Sequence, residues 1–314
     1  MKSNRISRQL EEYLEYKHSL GYRLTHEECV LRSFVNYTLE IGYIGSLNRD
    51  IVLDWISSGS GSEKTMGRKL EVIRPFSKYV SAFDSEAKSI PGKIFRNVHT
   101  RPEPYIYTEN EVITLMTACD SLFSPDGIRA HSVKCIIGLL WATGMRPSEP
   151  IHLRVKDVDF AKQCIVIRET KYAKTRIIPV TASVMQEISD YMQWLTSIIG
   201  SVVEDEPLFR TTGGKALSES ALAYAFQLIR ESIQAAPKGY PNVRLYDFRH
   251  TFACNTILNW LKNGQDATAL LYTLSTYLGH VKIEDTFWYL SATPELMNLS
   301  CSRYEDRFGG EYDD

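Results

Sequence analysis

The stretch "LYDFRHTFA", residues Leu245–Ala253, places an arginine directly before a histidine among aromatic side chains. Asp247 is a good N-cap, which predicts a helix that starts here and holds Arg249 in its first turn. Backbone N–H groups and the helix dipole favour an anion at that place. An arginine in apolar surroundings needs a negative partner, either a structural carboxylate or a substrate phosphate. His250 is expected to point into the fold as a hydrogen-bonded structural histidine.

The composition is that of a globular protein without metal or cofactor. The chain has 314 residues, which suits one large domain or two ordinary ones. Its six cysteines are scattered without a CxxC pair, and no HExxH motif occurs, so neither a metal site nor a cofactor is expected. The start lacks an apolar signal-peptide core, and no run approaches ~18 apolar residues, so we expect a cytoplasmic protein without a membrane span.

The net charge of −2 does not by itself indicate a nucleic-acid partner. The final ten residues, "EDRFGGEYDD", carry five acids and one arginine, and they lower the total without touching a basic face elsewhere. A chain that is neutral on average can therefore still present a positive groove.

The pattern along the chain predicts two domains of mainly α structure. Residues 1–97 read as four helices, and the Pro- and Gly-containing residues 98–107 read as a linker. Residues 108–314 read as mostly helical, with one β-hairpin formed by "CIVIRE" and "RIIPV". A final helix is expected in "ELMNLSCSRYEDRF", which can pack on its own domain or on a neighbouring copy.

The fourth helix of the first domain, "EKTMGRKLEVIRPFSKYVSAF", begins after a capping box predicted from Ser60 and Glu63. Four of its basic residues fall within an arc of roughly 120° at ~100° per residue. A solvated helix face explains this pattern, and so does a helix lying along a phosphate backbone. The four residues are Lys64, Arg68, Arg74 and Lys78.

Three further stretches place charged or nucleophilic residues at structural breaks. After the apolar helix that stops at Gly144, Arg146 and Glu149 are spaced to pair on one helical turn. The polar hairpin tip carries Lys171 and Lys174, where solvated lysines are common. In the last stretch, a helix is predicted to end at Leu278 with Gly279 as its left-handed cap. His280 follows at the corner, and Tyr289 lies on a second short helix.

Taken in this order, the stretches resemble the tyrosine recombinase, or phage integrase, family over nearly the whole chain. The motifs that carry the resemblance are "ATGMRPSEPIHLRVKDVDF", "TKYAKTRIIPV", "YDFRHTFA" and "YLGHVKIEDTFWYL". The resemblance implies a four-helix, SAM-like core-binding domain that clamps DNA and an α+β catalytic domain. It also implies double-stranded DNA as partner and a homo-oligomer on DNA, a tetramer tied together by the C-terminal helix.

The family resemblance assigns a role to each site residue. Tyr289 would attack the scissile phosphate, giving a 3′-phosphotyrosyl link and a free 5′-hydroxyl without ATP or metal. Arg146, Arg249 and His280 would bind the non-bridging oxygens. Lys171, rather than Lys174, would be the general acid, and Lys174 would contact DNA. The last role is that of Glu149, which would orient the arginines.

Residue 246 departs from the family pattern, which has histidine three residues before the second arginine. Tyr246 can donate a hydrogen bond to phosphate, but a phenol is a poor proton acceptor at neutral pH, unlike an imidazole. Proton removal from Tyr289 would then fall to His280 or water.

Three functions follow from the pattern. The first is a site-specific recombinase of a bacterial mobile element or chromosome, working in the nucleoid, alone or with related recombinases or accessory factors. The second is a type IB topoisomerase, which shares the chemistry but acts as a monomer. The third is a catalytically silent DNA-binding partner of an active recombinase, which the substitution at Tyr246 favours.

Overall fold

The computed structural model describes residues 4–92, 94–95, 98–100, 104–168, 175–233, 243–287 and 289. The chain divides into two compact units, Met1–Pro102 and Glu103–Asp314. In the described ranges, no helix is long and apolar enough to cross a membrane. The predicted tail helix lies outside the described residues.

The first unit is built from four helices around an apolar core. Ser62, and not the predicted Ser60, caps the fourth helix, because the Ser62 hydroxyl accepts a hydrogen bond from the Thr65 N–H. That helix continues through Pro75 to Phe83. The helices are α1 (Arg5–Ser19), α2 (Thr25–Glu40), α3 (Arg49–Ser58) and α4 (Glu63–Phe83).

The segment between the units is packed at both of its ends. Val98 packs against α4, where a Cβ on Gly67 would lie 2.3 Å from the Val98 side chain. Tyr105 and Tyr107 belong to the core of the second unit, and Tyr107 stacks on Phe248 with ring centroids 4.2 Å apart.

The second unit is mostly helical, which confirms the predicted class of mainly α structure with a small sheet. Thr108 caps its first helix through a capping box with Glu111. The helices are α5 (Glu109–Ala118), α6 (Ile128–Thr143), α7 (Ser148–Ile151), α8 (Ala182–Ile199), α9 (Glu219–Ile229), α10 (Asp247–Lys262), α11 (Ala267–Leu278) and α12 (Glu284–Phe287).

A three-stranded antiparallel sheet contains the predicted hairpin. Strand β2 (Cys164–Ile167) pairs with β3 (Arg176–Pro179), and the pair buries Ile165 and Ile178. A third strand, β1 (Val158–Asp159), pairs with β2 and was not predicted, because two residues carry no alternation pattern. The hairpin tip, residues 169–174, lies outside the described residues.

Two glycines end the helices that surround the start of α10. Gly144 ends α6 and Gly279 ends α11, with φ angles of +60° and +68° that favour glycine. A Cβ on Gly144 would lie 2.5 Å from the ring of Phe252 on α10, so the backbone can approach α10 only because this residue is glycine. The ends of α6 and α11 therefore meet beside the first turn of α10.

Candidate active site

Arg249 lies at the centre of this junction with no exposed surface. Its Nη1 donates to the Gly144 carbonyl at 3.0 Å, and its Nη2 donates to the Leu278 carbonyl at 2.6 Å. The guanidinium thus ties the ends of α6 and α11 to α10.

The predicted cap at Asp247 is wrong, because Tyr246 occupies the cap position and Asp247 is the first helical residue. The buried Asp247 carboxylate accepts hydrogen bonds from the backbone and guanidinium of Arg244, the latter at 2.6 Å. The carboxylate nearest to Arg249 in sequence is therefore engaged by another arginine.

No carboxylate lies within ion-pair distance of Arg249 among the described residues. Its Nε is buried and has no hydrogen-bond partner among the residues that the structure describes. Burial lowers the pKa of Arg249, but a guanidinium stays charged in proteins. A fully buried cation that donates to two carbonyl oxygens and has no carboxylate counter-ion among the described residues has the charge to bind an anion.

Arg146 and Glu149 pair as predicted. The Arg146 Nη1 donates to Glu149 Oε1 at 2.9 Å, and the Arg146 backbone N–H donates to Oε2 at 2.7 Å. The Arg146 side chain keeps 21% of its surface exposed, while that of Glu149 keeps 7%. Arg146 therefore retains an accessible edge next to a buried carboxylate.

Arg176, at the start of β3, was not predicted as a site residue. Its two terminal nitrogens form a fork on Glu149, with Nη1–Oε1 at 2.8 Å and Nη2–Oε2 at 2.7 Å. Burial acts to raise the pKa of Glu149, but the hydrogen bonds and charges of Arg176 and Arg146 outweigh it, and the pKa is lowered. Glu149 is thus an ionised carboxylate between two arginines.

Three consecutive carbonyl oxygens at the end of α11 each accept a hydrogen bond from a different arginine. Arg176 Nε binds the Tyr277 oxygen at 3.1 Å, and Arg146 Nη2 binds the Gly279 oxygen at 2.9 Å. Arg249 binds the oxygen between them, at Leu278. The C-terminal end of a helix carries partial negative charge, so α11 gathers the three guanidinium groups at one place.

Tyr289 lies beside this cluster, two residues after α12 ends at Phe287, and its backbone is 3-10 helical. Its side chain is 2% exposed and packs in the apolar cluster between α10 and α11. Burial raises the pKa of Tyr289 to about 12, against the opposing charge of Arg249. The phenol is therefore protonated at neutral pH.

Four aromatic rings form a row across the site. The ring of His280 lies 6.0 Å from that of Tyr289, and its Nδ1 is 2.7 Å from Thr286 Oγ1, which orients it. His250 lies between Tyr289, at 5.4 Å, and Tyr246, at 5.2 Å, between ring centroids. His250, predicted to point into the fold as a structural histidine, thus packs between two tyrosines of the site. Tyr246 is the exposed end of the row, with 41% of its surface accessible.

The structure brings six of the predicted residues together: Arg146, Glu149, Tyr246, Arg249, His280 and Tyr289. Lys171 and Lys174 lie outside the described residues. The basic set of the first unit lies on α4, where Arg68 and Lys78 are exposed and Lys64 and Arg74 are half-buried.

Sequence comparison places the chain among known proteins. The profile of the phage integrase family matches residues 106–295. A putative integrase/recombinase of Sinorhizobium fredii, y4rB, is 30% identical over 305 residues, which are 95% of this chain and 96% of that protein. Tyrosine recombinase XerC of Chlamydia trachomatis is 27% identical over 75% of this chain and 69% of its own.

Structure comparison finds the same fold. A Tn1549 transposon integrase in complex with transposon right-end DNA superposes with a TM-score of 0.65 at 16% identity, over 96% of this chain and 99% of that one. The XerH site-specific recombinase, in a post-cleavage complex with its difH substrate, gives 0.61 at 19% identity, over 88% and 78%. The chain with this buried arginine and its neighbouring tyrosine belongs to the phage integrase family, the tyrosine recombinases.

Proposed function

We propose that this chain is a site-specific recombinase that cuts and rejoins double-stranded DNA through Tyr289. One observation carries the proposal: Arg249 is a fully buried cation without a carboxylate partner among the described residues, and it lies beside a buried tyrosine. The anion that the site lacks is supplied by the scissile phosphate.

The reaction needs no energy source, because each bond broken is replaced by an equivalent one. The Tyr289 oxygen forms a bond to phosphorus, the bond to the 5′-oxygen breaks, and the phenol loses its proton. The departing 5′-oxygen gains a proton from a general acid, the role proposed for Lys171. Attack by a 5′-hydroxyl on the phosphotyrosine then restores a phosphodiester and frees Tyr289.

The arginines supply the charge that this reaction requires. Negative charge grows on the non-bridging oxygens in the transition state, and fixed donors aimed at those oxygens stabilise it most. Arg249 and Arg146 are held by helix-end carbonyls before any substrate binds. His280 adds a third donor, and Glu149 orients Arg146.

The tyrosine at 246 changes how the proton leaves. Its exposed phenol can donate a hydrogen bond to a phosphate, but an ordinary phenol does not accept a proton at neutral pH. Proton removal from Tyr289 is assigned to His280 or to water.

The remaining partners follow from this activity. The α4 residues and Lys174 are proposed to contact the DNA backbone, and the C-terminal tail is proposed to link copies into a tetramer on DNA in the nucleoid. Relatives named integrase/recombinase and a transposon integrase of the same fold support a role in a mobile element. Related recombinases or accessory factors are proposed as further partners.

A second candidate is a catalytically silent DNA-binding partner, which the 2% exposure of Tyr289 and the tyrosine at 246 favour. Nicked duplexes tiled across the DNA that flanks the gene, incubated with EDTA and without ATP, separate the two. An SDS-resistant adduct is expected with the wild-type chain. A nick beside the cleavage site makes the fragment with the free 5′-hydroxyl short enough to diffuse away, so that religation cannot occur. Sequence-specific binding without an adduct, with or without a related recombinase, would establish the silent partner.

A further inference from the structure

Glu149 accepts hydrogen bonds from two arginines, Arg146 and Arg176. Each of its oxygens accepts two hydrogen bonds, one from Arg176 and one from Arg146. The Arg176 side chain is 11% exposed, and both of its terminal nitrogens point at the carboxylate. A planar fork of this kind fixes the carboxylate in position and orientation.

The charges of this triad explain why a second arginine is present. A buried Glu149 paired with Arg146 alone would neutralise Arg146 and hold its guanidinium on the carboxylate. With Arg176 forked on the same carboxylate, the triad carries a net charge of +1, from two guanidinium groups and one carboxylate. Arg146 can then turn its accessible edge to a phosphate while Glu149 stays compensated.

Arg176 also binds the C-terminal end of α11, whose carbonyl groups accept hydrogen bonds from Arg146 and Arg249. Its Nε binds the Tyr277 carbonyl, one residue before the carbonyl that holds Arg249. A Cβ on Gly279 would lie 3.2 Å from the Arg176 Cδ, so the close approach suits the glycine found there. A shift of Arg176 would therefore reach the backbone that carries His280.

We propose that Arg176 is a positioning residue for DNA cleavage, which compensates Glu149 so that Arg146 keeps its positive charge for the scissile phosphate. The inference rests on the proposed function, because it assigns Arg146 to a phosphate. Arg176 is assigned a role through Glu149 and the Tyr277 carbonyl and not at the reacting atoms, because each of its three nitrogens donates to one of these two groups.

The test is a double-mutant cycle on Arg176→Gln and Glu149→Gln, with the single-turnover rate of adduct formation on the nicked duplex as readout. Among the described residues, Arg176→Gln leaves Glu149 with Arg146 as its only cation, so the rate is expected to fall about 100-fold, as for loss of one transition-state donor. Adding Glu149→Gln removes the surplus carboxylate, and the double variant is expected to recover at least about tenfold of that loss. Duplex affinity stays unchanged in all three variants.

Arg168→Gln is the matched control. Arg168 follows the other strand of the hairpin and pairs with a buried carboxylate, with its Nε 2.6 Å from Asp157 Oδ1. It is expected to cleave at the wild-type rate. Arg176→Lys is expected to recover only part of the activity, because an ammonium cannot form the planar fork.

The inference is overturned if Arg176→Gln cleaves within about threefold of wild type, or if the double variant is slower than Arg176→Gln, as it would be if both residues only stabilised the fold. The proposed function is tested separately in the same adduct assay. An adduct that persists in Tyr289→Phe would overturn the assigned nucleophile, while the ratio of Arg176→Gln to wild type would still measure the role of Arg176.

Discussion

Replacing Arg249 with methionine should separate stability from activity. Methionine is unbranched and fills irregular apolar space, so it can occupy the volume of the buried side chain. The change removes the positive charge beside Tyr289 and the two hydrogen bonds to the Gly144 and Leu278 carbonyls.

Two opposing effects set the change in unfolding free energy. The two hydrogen bonds from a charged donor contribute about 1.5–3 kcal/mol each, or about 3–6 kcal/mol together. Against them stands the cost of burying a cation without a counter-ion, which amounts to several kcal/mol. The two nearly cancel, so Arg249→Met should change the free energy of unfolding by no more than about 2 kcal/mol. Cleavage should nevertheless fall by at least ~10²–10³-fold, because a transition-state donor is lost.

Urea unfolding gives the free energy, and single-turnover adduct formation on nicked DNA gives the rate. Arg210→Met is the control, because Arg210 is also a buried arginine, with a side chain 5% exposed, but it pairs with Glu206 at 2.9 Å. The control should cleave at the wild-type rate. Near-normal cleavage by Arg249→Met, or a loss of stability large enough to account for the loss of cleavage, would refute the reasoning.

Three further outcomes are expected. Tyr246→His should cleave as fast as the wild type or faster, because an imidazole can accept a proton at neutral pH and a phenol cannot; a large loss in the variant would contradict this. Because the pKa of Glu149 is lowered, its contribution to stability is present above its unfolded value of 4.5 and lost as pH falls below it. The stability gap between wild type and Glu149→Gln in urea should therefore shrink from pH 7 to pH 3, and a constant gap would contradict it. Neutralising the four basic residues of α4 should lower the slope of log affinity for DNA against log salt concentration by about 3–4, at ~0.9 per phosphate contact. An unchanged slope would show that these residues form a solvated helix face. The four residues are Lys64, Arg68, Arg74 and Lys78.

Short-range sequence patterns predicted the helix ends at the site and the ion pair within one helical turn. Gly144 and Gly279 are found where left-handed backbone ends a helix, and both predictions are confirmed. The pairing of Arg146 with Glu149 followed from their spacing of three residues and is confirmed as well.

Long-range contacts explain what the sequence did not predict. Arg176 has no local pattern that sets it apart, because its partners lie 27 and 101 residues away along the chain. His250 was expected to face away from Arg249, its neighbour on the helix. The ring of His250 nevertheless packs between Tyr246 and Tyr289, so both neighbours lie at the site.

The most direct test of the account is to identify the residue that carries the DNA. The adduct trapped on nicked DNA can be digested with protease and nuclease, and the nucleotide-bearing peptide sequenced by mass spectrometry. The account predicts a single 3′-nucleotide on Tyr289, although this side chain is 2% exposed and Tyr246 is 41% exposed. A nucleotide on Tyr246, or on any other residue, would contradict it.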